Sequence, residues 1–440
     1  MTIVPMGNLY LQEAKGDHME YVLSLKRQIE EVIPRVVQRT LEASLEREVD
    51  QWLARKRHVR RRKSKRHEVK EYCSRCYSHD RRKFQRNGHY VRGLTTRWGQ
   101  LEIARPQVKC ECGGNVKLNF KTIRARQRIW EDVAIEVQAE YGRGCSYRQI
   151  KFHLDERLGT SFSLRTLNRR VLQSAKQEIV FNLMGWESVP PIVRLDGIWI
   201  TVMFATGETY EDSLKRKRPV KQGKRIPILA AQGVWPDTGK TALLAWTLAD
   251  GEDTDSWQQF LEQLYCAGLT PENGLKLLAT DGSTGFRAAY QNIYWMVSHQ
   301  RCVFHKLRNV AKAIRIPVGL DRQAAREFRS SFLREAARIW QEPDEHSARL
   351  LLANFCETWK SKQSRAIKTL CRDIDDTLTF YAVQEQAAQL DLYWPAHLLR
   401  TTSPLERMFR EFRRRFRNAI LFHSPLGAQA ATAQIAKNFS

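Results

Sequence analysis

The stretch Val193-Arg194-Leu195-Asp196-Gly197-Ile198-Trp199-Ile200 sets a carboxylate in the middle of an apolar, strand-like run. An ionised aspartate in a buried strand is costly unless it is paired, hydrogen-bonded or bound to a metal. Any fold this chain adopts must therefore bring a partner to Asp196. Asp281 ends a second apolar run, Leu275–Thr280, and is followed by Gly282 and Ser283. Strand ends are where open α/β sheets place ligands, although Asp-Gly-Ser is also an ordinary turn. Glu406 opens an arginine-rich helix three residues after Ser403 and two after Pro404, a spacing that equally suits a capping box.

Three carboxylates on separate elements suit a hard, oxygen-preferring cation such as Mg²⁺, which shares its shell with substrate phosphates. Two such ions stabilise both the attacking and the leaving oxygens of a phosphoryl displacement. The charge balance points the same way. Lys and Arg number 73 against 48 Asp and Glu, a net charge of +25, and the cations are clustered. A basic surface of this kind binds phosphate polymers by releasing their counterions, the plainer alternative being a solubility surface. Glu13, Asp17 and Glu20 interrupt the N-terminus, so no secretory signal is expected there. No apolar run approaches the roughly 20 residues that span a bilayer. The expectation is a cytoplasmic, nucleoid-associated protein without membrane contact, its nine cysteines mostly reduced.

A chain of 440 residues exceeds one typical core. Residues 1–66 read as an amphipathic helix followed by a basic arm. Leu25, Ile29, Ile33, Val36, Leu41, Leu45 and Leu53 recur near helical spacing, with Pro34 expected to kink or split the helix. The helix is either a dimerisation element or a packed core helix. The arm, Arg55–Arg66, includes Arg60, Arg61, Arg62 and Lys63 and is a DNA-backbone contact or a solvated linker. Residues 67–122 read as a zinc-ribbon-like unit. Cys73 and Cys76, with Cys110 and Cys112, form two close thiol pairs that suit tetrahedral Zn²⁺, unless they are unrelated thiols. His79 is a possible substitute ligand, and Arg86-Asn87-Gly88 a possible tight turn.

Residues 123–190 contain a helix-turn-helix pattern. Ser146 and Gln149 open one helix, with Ile150, Leu154 and Leu158 on its apolar stripe and Gly159 at its end. Ser163 caps a second helix that turns Leu164, Leu167 and Val171 inward. Arg165, Thr166, Asn168, Arg169 and Arg170 then face a DNA groove, or the pair is ordinary helical packing. Residues 191–305 follow the order strand, strand, strand, helix, strand, with a basic loop from Lys215 to Arg225 and a hairpin at Pro236–Gly239. Residues 306–400 form an all-helical insertion. Residues 401–440 supply a last core helix, on which Glu406, Arg410, Arg413 and Arg417 share one stripe beside an apolar stripe of Leu405, Phe409, Phe412 and Phe416. The fold class is thus α/β, a mixed sheet interrupted by helices. In Gln300-Arg301-Cys302-Val303-Phe304-His305-Lys306, Cys302 and His305 have ligand-like spacing without a second pair, and read as a polar cluster beside the acidic site.

DGIWI, ATDGSTGF, QRCVFHKLRN and RTTSPLERMFREFRRR together resemble the motif series of Mutator-type insertion-sequence transposases, over roughly residues 190–425. The resemblance implies a ribonuclease H-like core with a helical insertion. It implies that Asp196, Asp281 and Glu406 form an acidic triad holding Mg²⁺ or Mn²⁺, two ions per site, and it sets Cys302 and His305 nearby. The zinc-ribbon-like segment marks a divergent branch. The expected activity is DNA transposition: binding of terminal inverted repeats, metal-dependent phosphodiester hydrolysis, and transfer of the 3′ end to target DNA. A homodimer or higher assembly is expected, because two ends must be held together. The rivals are a non-catalytic DNA-binding regulator and a structure-selective ribonuclease H-like nuclease.

Overall fold

A computed structural model of the chain describes residues 7–54, 69–177, 188–419 and 421–439. The chain divides into two compact units, residues 1–141 with 147–171 and residues 142–146 with 172–440. The basic arm carrying Arg60, Arg61, Arg62 and Lys63 falls outside the described residues.

The first unit begins with α1, Gly7–Leu53, which runs on through Pro34 rather than splitting there. Its two halves behave differently. Leu41, Leu45, Val49 and Leu53, at four-residue spacing, are buried. They form a core with Phe84, Leu94, Leu101, Ile103 and Val108. Leu25, Ile29, Val32 and Val36 are exposed. The strands are β1, Phe84–Thr96, β2, Gly99–Cys110, and β3, Asn115–Val116, in one antiparallel sheet. Arg86-Asn87-Gly88 is not a tight turn. It lies within β1 at a register shift, where Gly88 takes a left-handed φ of 69° and the strand absorbs one extra residue. The reversal falls instead at Arg97-Trp98.

Three helices follow, α2, Glu131–Gly142, α3, Tyr147–Leu158, and α4, Leu164–Gln177. Ile150, Leu154 and Leu158 are buried along α3, and Gly159, at a φ of 61°, ends it. Ser163 Oγ accepts the Thr166 backbone N–H at 3.1 Å and caps α4. Leu167 and Val171 are buried, but Leu164 is exposed. It shares their stripe, but as the first residue of α4 it stands at the open end of that face.

The second unit is built on a five-stranded sheet: β4, Ile192–Glu211, β5, Lys217–Trp235, β6, Lys240–Leu248, β7, Leu277–Thr280, and β8, Ser298–Arg301. The spatial order is β6-β5-β4-β7-β8. β5 is antiparallel to β4 and β6, whereas β4, β7 and β8 run parallel. This is the ribonuclease H-like mixed sheet that the motifs imply. Alternate residues of β4 feed opposite cores. Val193 and Leu195 pack against α5, Thr254–Cys266, and α6, Thr284–Ile293, through Trp257, Phe260, Leu261 and Phe286. Ile192, with Val234 and Leu277, packs against the helical insertion.

After α7, Val303–Ala313, that insertion comprises α8, Arg322–Ala337, α9, Glu345–Trp359, α10, Ser364–Cys371, α11, Thr379–Ala388, and α12, Ala396–Leu399. Polar residues of the sheet and of α7 pin it down. Gln300 Nε2 donates to the Thr377 carbonyl at 2.9 Å, and its Oε1 accepts the Phe380 N–H at 2.8 Å. Buried Lys306 donates to the Arg372 carbonyl. Arg194, fully buried in β4, donates to Gln232 Oε1 at 3.2 Å and to the Leu398 carbonyl at 2.8 Å. Burial lowers its guanidinium to about 10. Two helices close the unit, α13, Ser403–Ala419, and α14, Pro425–Ala436.

Of the segment from Lys215 to Arg225, only Lys215 and Arg216 lie in a turn; the rest is strand, not loop. β4 and β5 continue as a paired ribbon beyond the sheet, with Tyr210 opposite Arg218 and Glu211 opposite Lys217. Lysine and arginine are weak strand formers, and this ribbon is held by its ladder and its turn rather than by burial.

Candidate active site and metal centres

Three elements aim carboxylates at one region of the second unit. Asp196 lies in β4 opposite Ala230, and its Oδ1 accepts the Gly197 N–H at 2.8 Å. Asp281 follows the last residue of β7, and its Oδ1 accepts the Ser283 N–H at 3.0 Å. Glu406 stands in the first turn of α13. Burial pushes the Asp196 carboxyl up to about 7, reinforced by the negative charges of Asp281 and Glu406 and opposed by the Gly197 hydrogen bond and His305.

Glu406 spends its carboxylate on His305, whose Nε2 lies 2.9 Å from Glu406 Oε1. The turn begins instead with the Thr402 carbonyl, which accepts the Leu405 and Glu406 backbone N–H groups at 2.9 and 3.2 Å. Burial lowers the His305 ring's affinity for a proton, but Cys302, Asp196 and Glu406 outweigh it and raise the imidazole to about 9. Cys302 caps α7 from the end of β8. Burial raises its thiol, while His305 and the Thr402 N–H, 3.3 Å from Sγ, hold it down to about 7. An imidazolium beside a carboxylate and a sulfur fixes where Glu406 points. Along α13, Leu405, Phe409 and Phe412 are buried, whereas Arg410, Arg413 and Arg417 are exposed.

A fourth carboxylate escaped the sequence reading. Glu252, just before α5, is half-buried, and its carboxyl is raised by burial and by the charge of Asp281, against a hydrogen bond from Trp199. A Cβ at Gly197 would collide with Glu252 Oε1. The glycine after Asp196 therefore lets Glu252 approach the strand. The available signal was the run Gly251-Glu252-Asp253 at a helix start; a cluster of acids there reads equally as a cap, and Asp253 is one.

In the first unit, Cys73 Sγ and Cys112 Sγ lie 3.4 Å apart, and Cys76 Sγ and Cys110 Sγ 3.7 Å apart. All four sulfurs lie within 4.8 Å of one another. Tetrahedral zinc with bonds of about 2.3 Å requires sulfurs roughly 3.8 Å apart, so the thiols fit this ion. Burial raises Cys73, yet the Cys76 and Arg75 backbone N–H groups bring it down to about 6; burial pushes Cys110 up to about 12. His79 is not part of the set, since its Nδ1 lies 3.0 Å from the Val69 carbonyl oxygen. The carboxylates form no such closed set. Among the described residues the thiols are the one group of three or more His, Cys, Asp or Glu with ligand atoms so close together. Their donors are nonetheless all oxygen, and the repulsion that adds to burial in raising Asp196 is what a hard cation relieves.

Arg165, Thr166, Asn168 and Arg169 lie on α4, with Arg165 and Arg169 exposed and Thr166 and Asn168 half-buried. Arg170 is half-buried, and burial lowers its guanidinium. Among the described residues no helix is long and apolar enough to cross a membrane.

The family described as transposase, Mutator family, matches residues 16–432. The chain belongs to the Mutator family of transposases. Several curated relatives of this Mutator-family chain are insertion-sequence transposases. That of IS905 from Lactococcus lactis is 25% identical over 342 residues, 77% of this chain and 75% of the relative. That of IS406 from Burkholderia multivorans is 27% identical over 345 residues, 77% of each. That of IS256 in transposon Tn4001 from Staphylococcus aureus is 25% identical over 348 residues, 76% of each. Among solved structures, the Drosophila P element transposase strand transfer complex aligns with a TM-score of 0.42 and 11% identity, covering 70% of this chain and 92% of that one.

Proposed function

We propose that this Mutator-family chain is a DNA transposase whose acidic triad is Asp196, Asp281 and Glu406. The observation that carries the reading is the convergence of carboxylates from three separate elements on a buried Asp196, which burial, with the charges of Asp281 and Glu406 added, raises to about 7. A divalent cation, Mg²⁺ or Mn²⁺ with two ions per site, supplies charge neutralisation at the attacking and leaving oxygens of the phosphoryl group. The chain's own part is positioning. His305 orients Glu406, Gly197 and Ser283 hold the two aspartates, and Arg410, Arg413 and Arg417 offer guanidinium forks to flanking phosphates. Water attacks phosphorus at the element's end and the 3′ oxygen departs. That freed 3′-hydroxyl then attacks a target phosphodiester in line, expelling the target's own 3′ oxygen. Glu252 supports the site from the far side of Gly197.

The α3–α4 pair is read as the module that recognises terminal inverted repeats, with Arg165 and Arg169 toward the DNA. Arg60, Arg61, Arg62 and Lys63 are read as backbone contacts. Cys73, Cys76, Cys110 and Cys112 would hold a structural Zn²⁺. The exposed apolar half of α1 is the surface we assign to homodimer contact, since it leaves Leu25, Ile29, Val32 and Val36 in water. The protein would act in the cytoplasm on nucleoid DNA.

Cleavage and joining on a labelled duplex carrying the element's end, with Mg²⁺ or EDTA, tests this. Metal-dependent cutting and strand transfer, both lost in Asp281→Asn, are expected. End-specific binding without cutting would favour the regulator, and cutting of branched DNA regardless of end sequence the nuclease.

A further inference from the structure

We propose that the β4–β5 ribbon, residues 205–225, is a DNA-binding arm that grips the phosphates of duplex DNA without regard to sequence. The inference rests on the transposase reading and adds a contact surface to it. Nearly every residue from Ala205 to Arg225 is exposed, so the ribbon's ladder serves no core. Its exposed paired length, about seven residues at roughly 3.3 Å each, reaches on the order of 20 Å beyond the sheet. A two-stranded ribbon is one of the two elements that the major groove of B-DNA admits.

The charge is concentrated where such an arm would meet DNA. Residues 215–218 are Lys-Arg-Lys-Arg. Arg218 pairs with Asp212, and Lys224 with Asp250. Lys221 donates to the His423 carbonyl at 2.7 Å. Lys215, Arg216 and Lys217 have no carboxylate at ion-pair distance among the described residues and stand at the tip. That tip is built. Asp212 Oδ1 accepts the Leu214 and Arg216 backbone N–H groups, both at 2.9 Å, and Oδ2 accepts Arg218 Nε at 3.0 Å. Lys215 takes a left-handed φ of 56° to close the turn. Beside it, Tyr210, Arg218 and Lys221 line an open recess of about 580 Å³. Leu214, 65% exposed, tops the apex. A rigid turn holding three free cations loses little entropy when it docks.

Its position suits the reaction. The ribbon leaves the sheet at the C-terminal end of β4, the edge at which Asp281 follows the parallel strand β7. A duplex engaged at the carboxylates thus continues toward the arm. The exposed heads are mostly Lys and Arg, which neutralise phosphates as well as reading bases, so the contact is assigned to the backbone.

The test is duplex binding by anisotropy across a KCl series, with a random-sequence DNA and the full chain. Replacing Lys215, Arg216 and Lys217 together by Ala should lower the slope of log affinity against log salt by about 3, near one per phosphate contact. Replacing exposed Arg322, Arg326 and Arg329 of α8 by Ala removes the same charge and should leave the slope within about one of wild type. A wild-type slope in the tip variant, or equal losses in both, overturns the arm while leaving the transposase reading standing. Wild-type protein that binds no duplex overturns that reading and the arm with it. A photo-crosslinking residue in place of Leu214 should join to bound duplex, and a DNA-bound protein giving no such crosslink also overturns the assignment.

Discussion

The two metal-binding candidates are built on opposite terms. Cys73, Cys76, Cys110 and Cys112 already stand within 4.8 Å of one another, and backbone N–H groups hold Cys73 down. Asp196, Asp281 and Glu406 form no such closed set, and burial, with the charges of the other two, raises Asp196. Thiols tolerate one another because most stay protonated until a cation arrives; carboxylates near neutral pH do not. A closed sulfur set suits an ion that holds a fold together. An open oxygen set leaves coordination positions for substrate.

The comparison is broken most sharply at the thiols. Cys73→Ser with Cys76→Ser should release zinc and unfold the first unit's sheet, a loss on the order of 10 kcal/mol of metal-linked stability. Elemental analysis with hydrogen exchange over Phe84–Cys110 checks it; wild-type protein free of zinc ends the claim. At the carboxylates the same kind of change should spare the fold. Asp281→Asn should cut cleavage by about a thousandfold, roughly 4 kcal/mol of transition-state stabilisation, with an unchanged unfolding transition. An unfolded variant would mean that this site, too, is structural.

Acid provides a third probe. His299 is half-buried, and desolvation, with Arg287 and Arg301 nearby, lowers it to about 4 from the ordinary 6.5. The unfolded chain then binds the extra proton first, so stability is complete above about 6.5 and is lost as pH falls toward 4. His299 Nε2 lies 2.8 Å from Thr280 Oγ1, so acid should loosen the strand that leads into Asp281. A loss on the order of 3 kcal/mol is expected, absent in His299→Gln, measured by denaturant unfolding at pH 7 and pH 4.5. The smallest effect is expected at Glu252. Glu252→Gln should slow cleavage about tenfold, near 1.4 kcal/mol, without affecting duplex binding. An unchanged rate would reduce Glu252 to a bystander behind Gly197.

Much of the frame was legible because it rests on periodicity. The strand–strand–strand–helix–strand order, the turn at Pro236–Gly239 and the helical run after residue 305 all follow apolar spacing and turn residues. Longer-range facts were not. Nothing local to Glu252 announces that Gly197 makes room for it. The cationic ribbon reads as a loop because strand propensity is a preference for half-buried surfaces, and this ladder stands in water. Arg-Asn-Gly reads as a turn because a bulge and a turn call for the same left-handed glycine. The grouping of Asp196, Asp281 and Glu406 came from motif resemblance, since the long helical insertion separates the last from the first two in sequence.

Arg194 carries a consequence in time. Its guanidinium lies in the central strand, yet one of its acceptors is the carbonyl of Leu398, more than two hundred residues later. During synthesis the strand emerges long before that acceptor exists, and a buried arginine missing a partner opposes burial. The burial of Arg194 is therefore completed only once the insertion has been made and has folded back. Fragments ending short of Leu398 should remain unfolded and open to proteolysis, so that a prematurely terminated chain yields no partly working nuclease.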